Sequence, residues 1–375
     1  MADFPQDSTL IESTPPWLTS ADWPYAYGPP PAKARLRVEA EDFQVEEVLS
    51  FNPSGEGDHV YLQVRKRDTN TRWLAERLAI LAKVQVSAVG YAGLKDRRAL
   101  ASQWFSVPVP PSREPDWRLL EGPDLQLLAI SRHPTKLQRR DSLLCNRFVI
   151  RLRDVAGERP EIEGRLERVM AHGVPNYFGA QRFGQDLGNL ERADALLRRK
   201  LGRVDPFHRG LYISAARSHL FNQVLARRVR EGTWNRALPG ERLIDATGQL
   251  HAWDGVGGGQ EPDRHPSGPL WGRGRPLVGD EVGKLEEEVL APFAAWRYGL
   301  EHVGLVQERR ALRLCPTDLR WEWEQRDTLV LAFALSAGSY ATIVVREVAD
   351  TEEKLALGDG DQGVRAFGLA GRNNT

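Results

Sequence analysis

The chain has 375 residues, enough for two or three domains, and 41% of them are hydrophobic, enough for a packed core. Its 51 basic and 51 acidic side chains cancel, so global charge gives no steering toward an anionic partner, and any nucleic-acid surface must come from local clustering. Two cysteines, Cys145 and Cys315, are too few for a disulfide framework; no run approaches the ~18 apolar residues of a membrane span, and no signal-peptide pattern is legible, so the expectation is a cytoplasmic protein away from membranes.

Residues 1–34 read as a Pro-rich leader, partly ordered against the body, with regular structure starting at Leu36. Leu36, Val38, Phe43 and Val45 alternate with polar residues, as do Val60, Leu62 and Val64 beyond the turn at Asn52–Gly57. The two runs predict an antiparallel strand pair. Asn70 or Thr71 caps a helix carrying Leu74, Leu78 and Leu81 on one face. Strands are expected over Phe105–Val109, Leu125–Ile130 and around Phe148, Ile150 and Leu152, and a helix over Ile162–Met170.

From Gly173 the texture changes. A Gly- and aromatic-rich loop, 175–184, precedes helical patterns at Leu190–Leu201 and Leu220–Val229. Residues 251–280 are rich in Gly and Pro and read as an irregular insertion; a further helical stretch covers Val282–Leu300. Strand alternation returns with Leu319, Trp321 and Trp323 and then Leu329–Leu335, followed by a helix over Ala341–Val348. Residues 351–375 read as a flexible tail. The simplest organisation is one α+β domain interrupted by an inserted domain.

Most catalytic motifs are missing. The eight histidines make no metal-ligand spacing, no Gly-x-Ser-x-Gly elbow occurs, and no glycine-rich run has the context of a nucleotide cradle, so neither metal nor cofactor is expected. What stands out is Gly90–Ala99, where two glycines bracket Tyr91 and one carboxylate, Asp96, lies among Lys95, Arg97 and Arg98. Neighbouring cations favour an ionised carboxylate, available as nucleophile or base; a solvated surface turn would look the same. Arg132, Lys136, Arg139 and Arg140 make the densest basic run. Aromatics recur beside such polar segments (Phe43, Tyr91, Phe148, Tyr177, Phe178, Tyr340), the composition of a groove that holds unstacked bases; each taken singly fits a core better, and the weight lies in their recurrence.

The segment Gly93-Leu94-Lys95-Asp96-Arg97-Arg98-Ala99 resembles the catalytic loop of the TruD family of tRNA pseudouridine synthases. Further segments resemble that family in order: Ala40–Glu47, Asn70-Thr71-Arg72, Gly173–Gly184, and Ala337–Thr342 with Val344–Glu347. The resemblance runs from about residue 36 to 349. It implies a pseudouridine synthase core with a mixed, mostly antiparallel sheet over 35–172 and 315–350, interrupted by a TruD-specific α/β insertion domain over 173–314. RNA would lie in the cleft between them.

It also implies roles. Asp96 would be the catalytic nucleophile, acting on a tRNA uridine at position 13, in the D-arm region, without a cofactor. Arg37 would pair with Asp96. Phe148 would stack on the flipped base, and Phe43, Asn146 and Tyr340 would contact the target nucleotide. Lys95, Arg97, Arg98, Arg132, Lys136, Arg139, Arg140 and Arg182 are candidates for the RNA backbone. The chain departs from the family pattern twice: Tyr340 replaces a common Phe, and Leu143-Leu144-Cys145 replaces Leu-Lys-Gly. The expected partner is tRNA and the expected state a monomer. A non-catalytic RNA-binding protein or tRNA chaperone on the same fold is the alternative.

Overall fold

The computed structural model describes residues 23–138, 142–255 and 263–353. The chain begins with β1 (Ala32–Leu36), β2 (Phe43–Leu49), β3 (His59–Arg67), α1 (Thr71–Ala82), β4 (Gly90–Tyr91), β5 (Leu100–Pro108), β6 (Leu125–His133), β7 (Leu143–Ala156) and α2 (Arg159–His172). A middle segment follows: β8 (Val174–Pro175), α3 (Gly188–Leu197), α4 (Pro206–Arg230), β9 (Arg242–Asp245), β10 (Leu250–Ala252), β11 (Arg264–Leu270), α5 (Asp280–Leu290), α6 (Ala294–Glu301), β12 (Glu308–Ala311) and β13 (Arg313–Leu314). The chain returns through β14 (Thr317–Gln325), β15 (Thr328–Ser336), α7 (Ala341–Val348) and β16 (Ala349–Glu353).

The first and last parts share one mixed sheet ordered β14-β15-β7-β2-β5-β3-β6, with β1 bridging β7 and β16, and β4 on β5. The middle part builds its own four-stranded sheet, β10-β9-β11-β12, with α4 against it and α5 packed on α4. Its two ends are zipped together: β8 and β13 pair antiparallel, Val174 opposite Leu314. Gly173 makes that closure possible. Its φ is +73°, and a Cβ there would meet the Leu314 carbonyl oxygen at 2.5 Å. The fold is therefore α+β, with an α/β insert entering and leaving at one point.

Several expectations need correction. β2 and β3 do not pair: β5 lies between them, parallel to β2 and antiparallel to β3. A long connection carrying α1 lets β5 return beside β2, which alternation alone does not reveal. Order begins upstream of Leu36, because Trp23 is buried and stacks on Tyr177, ring centroids 5.7 Å apart. The stretch 251–280 contains β11, which pairs with β9 and β12. The helix of 282–300 is two, α5 and α6, parted around Pro292, which has no N–H to continue the ladder. The tail expected from 351 begins inside β16, which lies parallel to β1; the rest of that tail lies outside the described residues, as do Arg139, Arg140 and most of the leader.

One apolar core runs from Phe43, Phe148 and Leu331 under the large sheet, through Val174 and Phe178, to Phe221 and Trp296 in the insert. A second one packs α1 on β3 and β5 through Leu62, Leu74, Leu78 and Phe105. Between the two bodies a cleft of about 710 Å³ opens, lined by the Asp96 loop, β2, β7, the 337–342 turn and Arg182.

Candidate active site

Asp96 sits in the loop from β4 to β5, with its side chain 47% exposed. Arg37 follows directly after β1 in a left-handed conformation, φ +57°. That bend aims its guanidinium at Asp96: Nη2 donates to Oδ2 at 2.7 Å. The same guanidinium lies over the Phe43 ring, 4.1 Å from its centroid. The paired Arg37 side chain is only 11% exposed, so the ion pair is partly shielded from solvent.

The floor of the cleft comes from strand register. Phe43 and Val45 of β2 lie opposite Ile150 and Phe148 of β7, which puts Phe43 and Phe148 edge to face at 6.1 Å. Asn146, two residues before Phe148 and on the same face, is nearly buried. Its Oδ1 has no hydrogen-bond partner among the described residues. A buried amide oxygen left unpaired at a cleft wall is costly unless something else supplies a donor. Tyr340, just before α7, forms the opposite wall, and its hydroxyl accepts from Arg182 Nη2 at 2.7 Å. So the cleft brings together Asp96, Arg37, Phe43, Asn146, Phe148, Tyr340 and Arg182.

Beneath the Asp96 loop lies a polar network that sequence patterning does not predict. Lys66, fully buried on β3, donates from Nζ to Thr69 O at 2.7 Å and to Asp96 O at 3.4 Å. Burial pushes its pKa down from 10.5 to about 8, with the nearby Asp96 charge acting in the opposite sense. Lys95 turns inward onto buried Glu47, 2.6 Å away. The Glu47 carboxylate also accepts from Trp104 N at 2.9 Å. Gln103 donates to Gly93 O at 2.7 Å and accepts from the Thr71 hydroxyl at 3.0 Å; Thr71 in turn accepts from Lys95 N at 3.1 Å. The loop is thus tied at Gly93, Lys95 and Asp96 to β3, β5 and the start of α1.

Several cations expected to contact RNA have protein partners in the fold. Lys95 is held by Glu47. Arg132 Nη2 meets Glu114 at 2.5 Å, and its Nη1 donates to Gly57 O and Val109 O. Lys136 Nζ donates to Ser87 O at 2.7 Å. Arg97 and Arg98 are exposed beside Asp96. Of the aromatics, Tyr177 and Tyr91 pack into the cores and do not line the cleft.

Arg310, which the sequence did not single out, joins the insert to the cleft. Its Nη2 donates to Asn176 Oδ1 at 2.7 Å and its Nη1 to Gly338 O at 3.4 Å, while the guanidinium covers the Phe178 ring at 4.3 Å. Burial brings its pKa down to about 10. Gly338, φ +85°, starts the turn that presents Tyr340. Among the described residues no group of three or more His, Cys, Asp or Glu is placed to hold a metal ion, and no described helix is long and apolar enough to cross a membrane.

The model of the family described as tRNA pseudouridine synthase D (TruD) matches residues 23–203 and 187–348. The chain belongs to the TruD family. A Nitrosococcus oceani relative named tRNA pseudouridine synthase D is 47% identical over 338 residues, covering 88% of this chain and 94% of its own. A Cellvibrio japonicus relative of the same name is 46% identical, covering 88% and 93%. A crystal structure from Methanosarcina mazei, named there for the same synthase, superposes with a TM-score of 0.64 over 86% of this chain and 95% of its own. At 22% identity that likeness shows the shared TruD fold.

Proposed function

We propose that this TruD-family protein isomerises a tRNA uridine, at position 13 in the D-arm region, to pseudouridine, with Asp96 as the catalytic carboxylate. The observation that carries the reading is the convergence, in one cleft, of an Arg37-clamped carboxylate, an unpartnered buried Asn146 oxygen and the rings of Phe43, Phe148 and Tyr340. Uridine offers one ring N–H donor, which matches a lone amide acceptor. The rings supply stacking surface for a base turned out of its helix, offsetting the few kcal/mol that unstacking costs.

The reaction breaks the N1–C1′ bond and rejoins the base through C5, with no net redox change. A carboxylate that adds to the sugar or base, or that deprotonates the sugar, and then leaves serves equally well. Arg37 orients Asp96, and the network of Lys66, Thr71, Gln103 and Glu47 holds its loop against the sheet, so the carboxylate is positioned before substrate arrives. The catalytic core is read as 35–172 with 315–350, and the insert as 173–314. The protein is read as a monomer, and as cytoplasmic because two cysteines are too few for a disulfide framework.

The test is incubation with an unmodified tRNA transcript followed by chemical mapping of pseudouridine. One modified uridine in the D arm is expected with the wild type. Asp96→Asn is expected to keep tRNA affinity and abolish conversion. Full turnover by that variant would remove Asp96 from the chemistry, and tRNA binding without conversion by the wild type would favour the non-catalytic RNA-binding alternative.

A further inference from the structure

In the basic run singled out in the sequence, Arg132 and Lys136 are engaged with protein; a second basic stretch lies in the insert. Residues 198–209 carry five cations, Arg198, Arg199, Lys200, Arg203 and Arg209, against one carboxylate, Asp205. Arg198 is paired with Asp194 at 2.7 Å, and Asp205 caps α4 and holds His208. Arg199, Lys200, Arg203 and Arg209 are exposed and have no ion-pair partner among the described residues. Among them stands Phe207, 65% exposed, an unusual place for a phenyl ring in a chain that buries most of its aromatics.

The direction of α4 relates this patch to the cleft. Phe207 and Ser214 are seven residues apart, so they share one stripe of the helix, about 10 Å apart along its axis at a rise of ~1.5 Å per residue. Ser214 Oγ accepts from Arg182 Nη1 at 3.2 Å, and Arg182 reaches with its other nitrogen to the Tyr340 hydroxyl in the cleft wall. The stripe therefore leads from the cleft to Phe207. That distance is about three phosphate spacings of a stacked strand at ~3.4 Å per nucleotide. The chain has no net charge, so such a concentration of unpaired cations beside an exposed ring is a local feature.

We propose that the loop from α3 to α4 and the first turns of α4 form a second RNA contact, in which Phe207 stacks on an unpaired base flanking the target nucleotide and Arg199, Lys200 and Arg203 engage its phosphates. This rests on the reading of the cleft as a tRNA site. It makes the insert a holder of the strand that leaves the cleft, with an aromatic platform and a cationic margin.

The experiment compares wild type, the triple variant Arg199→Gln/Lys200→Gln/Arg203→Gln, Phe207→Ala and Phe207→Tyr. Each is titrated with tRNA transcript over a range of salt, and conversion is followed at limiting and saturating RNA. Thermal melting verifies that every variant is folded. The triple variant should flatten the plot of log affinity against log salt by about two to three, at ~0.7–0.9 per phosphate contact. Phe207→Ala should weaken binding about tenfold, since one base stack contributes that much, and Phe207→Tyr should restore it. Both losses should appear in kcat/KM far more than in kcat.

Unchanged slope and affinity in the triple variant, with a wild type that converts tRNA, overturns the proposal. So does a Phe207→Ala variant that binds normally, or a triple variant that loses affinity for dextran sulfate as much as for tRNA; either would make the patch a generic anion surface. A wild type that binds tRNA through these residues but converts no uridine would instead defeat the proposed activity and leave the contact standing.

Discussion

Lys66 is the side chain on which local chemistry and catalysis meet most closely. Val60, Leu62 and Val64 alternate inward along β3, and the same period carries Lys66 into the core. The alternation singled out only the apolar residues of this strand; only the folded chain brings Asp96 O within 3.4 Å of the Lys66 Nζ. Its proton has a predictable effect on stability. Below about pH 8 the amine is charged in both folded and unfolded chains, and the cost of burying that charge is fully present. Between about 8 and 10.5 the folded chain has shed the proton while the unfolded chain keeps it, so stability rises with pH. At ~1.36 kcal/mol per pH unit the window amounts to about 3 kcal/mol. Lys66→Met should therefore be relatively more stable than wild type near pH 7.5 and lose that advantage by pH 10, in paired thermal melts. It should also turn over about tenfold more slowly, if holding the Asp96 backbone is worth ~1.4 kcal/mol at the transition state. Equal pH dependence in the two proteins would remove the buried charge from the account. Asp96 and Arg37, by contrast, were readable as a pair only through family resemblance, since the bend at Arg37 that joins them has no signature in spacing.

Among the elements, α4 shows how the insert is braced from within. Its last turns carry Arg228, fully buried, whose Nη1 lies 2.8 Å from the equally buried Glu241, while Nη2 donates to the carbonyls of Thr233 and Arg236. Desolvation raises the Glu241 pKa and Arg228 opposes that rise. Removing one partner strands a charge in the core, which costs about 3–5 kcal/mol, whereas replacing both with apolar groups of similar volume is close to neutral. Arg228→Met should lower the urea midpoint of the protein by that equivalent, and Arg228→Met/Glu241→Leu should recover most of it. A double variant no better than the single would mean that the carbonyl contacts of Arg228, rather than its charge pairing, hold the turn. The sequence announced α4 through its apolar stripe at Leu220, Phe221, Val224 and Leu225, and the helix forms there. It did not announce the insert's sheet, because β10 and β9 are three and four residues long and β11 contains two prolines, so alternation had too little length to register.

At the scale of the molecule the two bodies share more than a cleft. The apolar core passes without interruption from Phe148 and Leu331 to Phe221 and Trp296, and the leader closes it from outside through Trp23. Arg165 adds a polar clasp, donating to Tyr27 O and Pro29 O on the leader and to Glu347 O at the end of α7. Phe178 sits at the crossing, edge to face with Phe221 at 5.4 Å and with Tyr340 at 6.3 Å. An insert tethered by two strands alone would unfold independently, as separate domains commonly do. Here the shared core couples them, so denaturant unfolding should be one transition. Tryptophans report on both halves: Trp234, Trp271 and Trp296 in the insert, Trp117 in the catalytic part. Their fluorescence and the far-ultraviolet circular dichroism should change together. Phe178→Ala should cost about 3–5 kcal/mol, as truncation of a buried ring does, and shift both signals by the same amount because the cavity opens in the common core. Two resolved steps, or a Phe178→Ala shift confined to the insert's tryptophans, would mean that the halves are coupled only through the β8–β13 stem, and that the cleft between them can open without cost to the core.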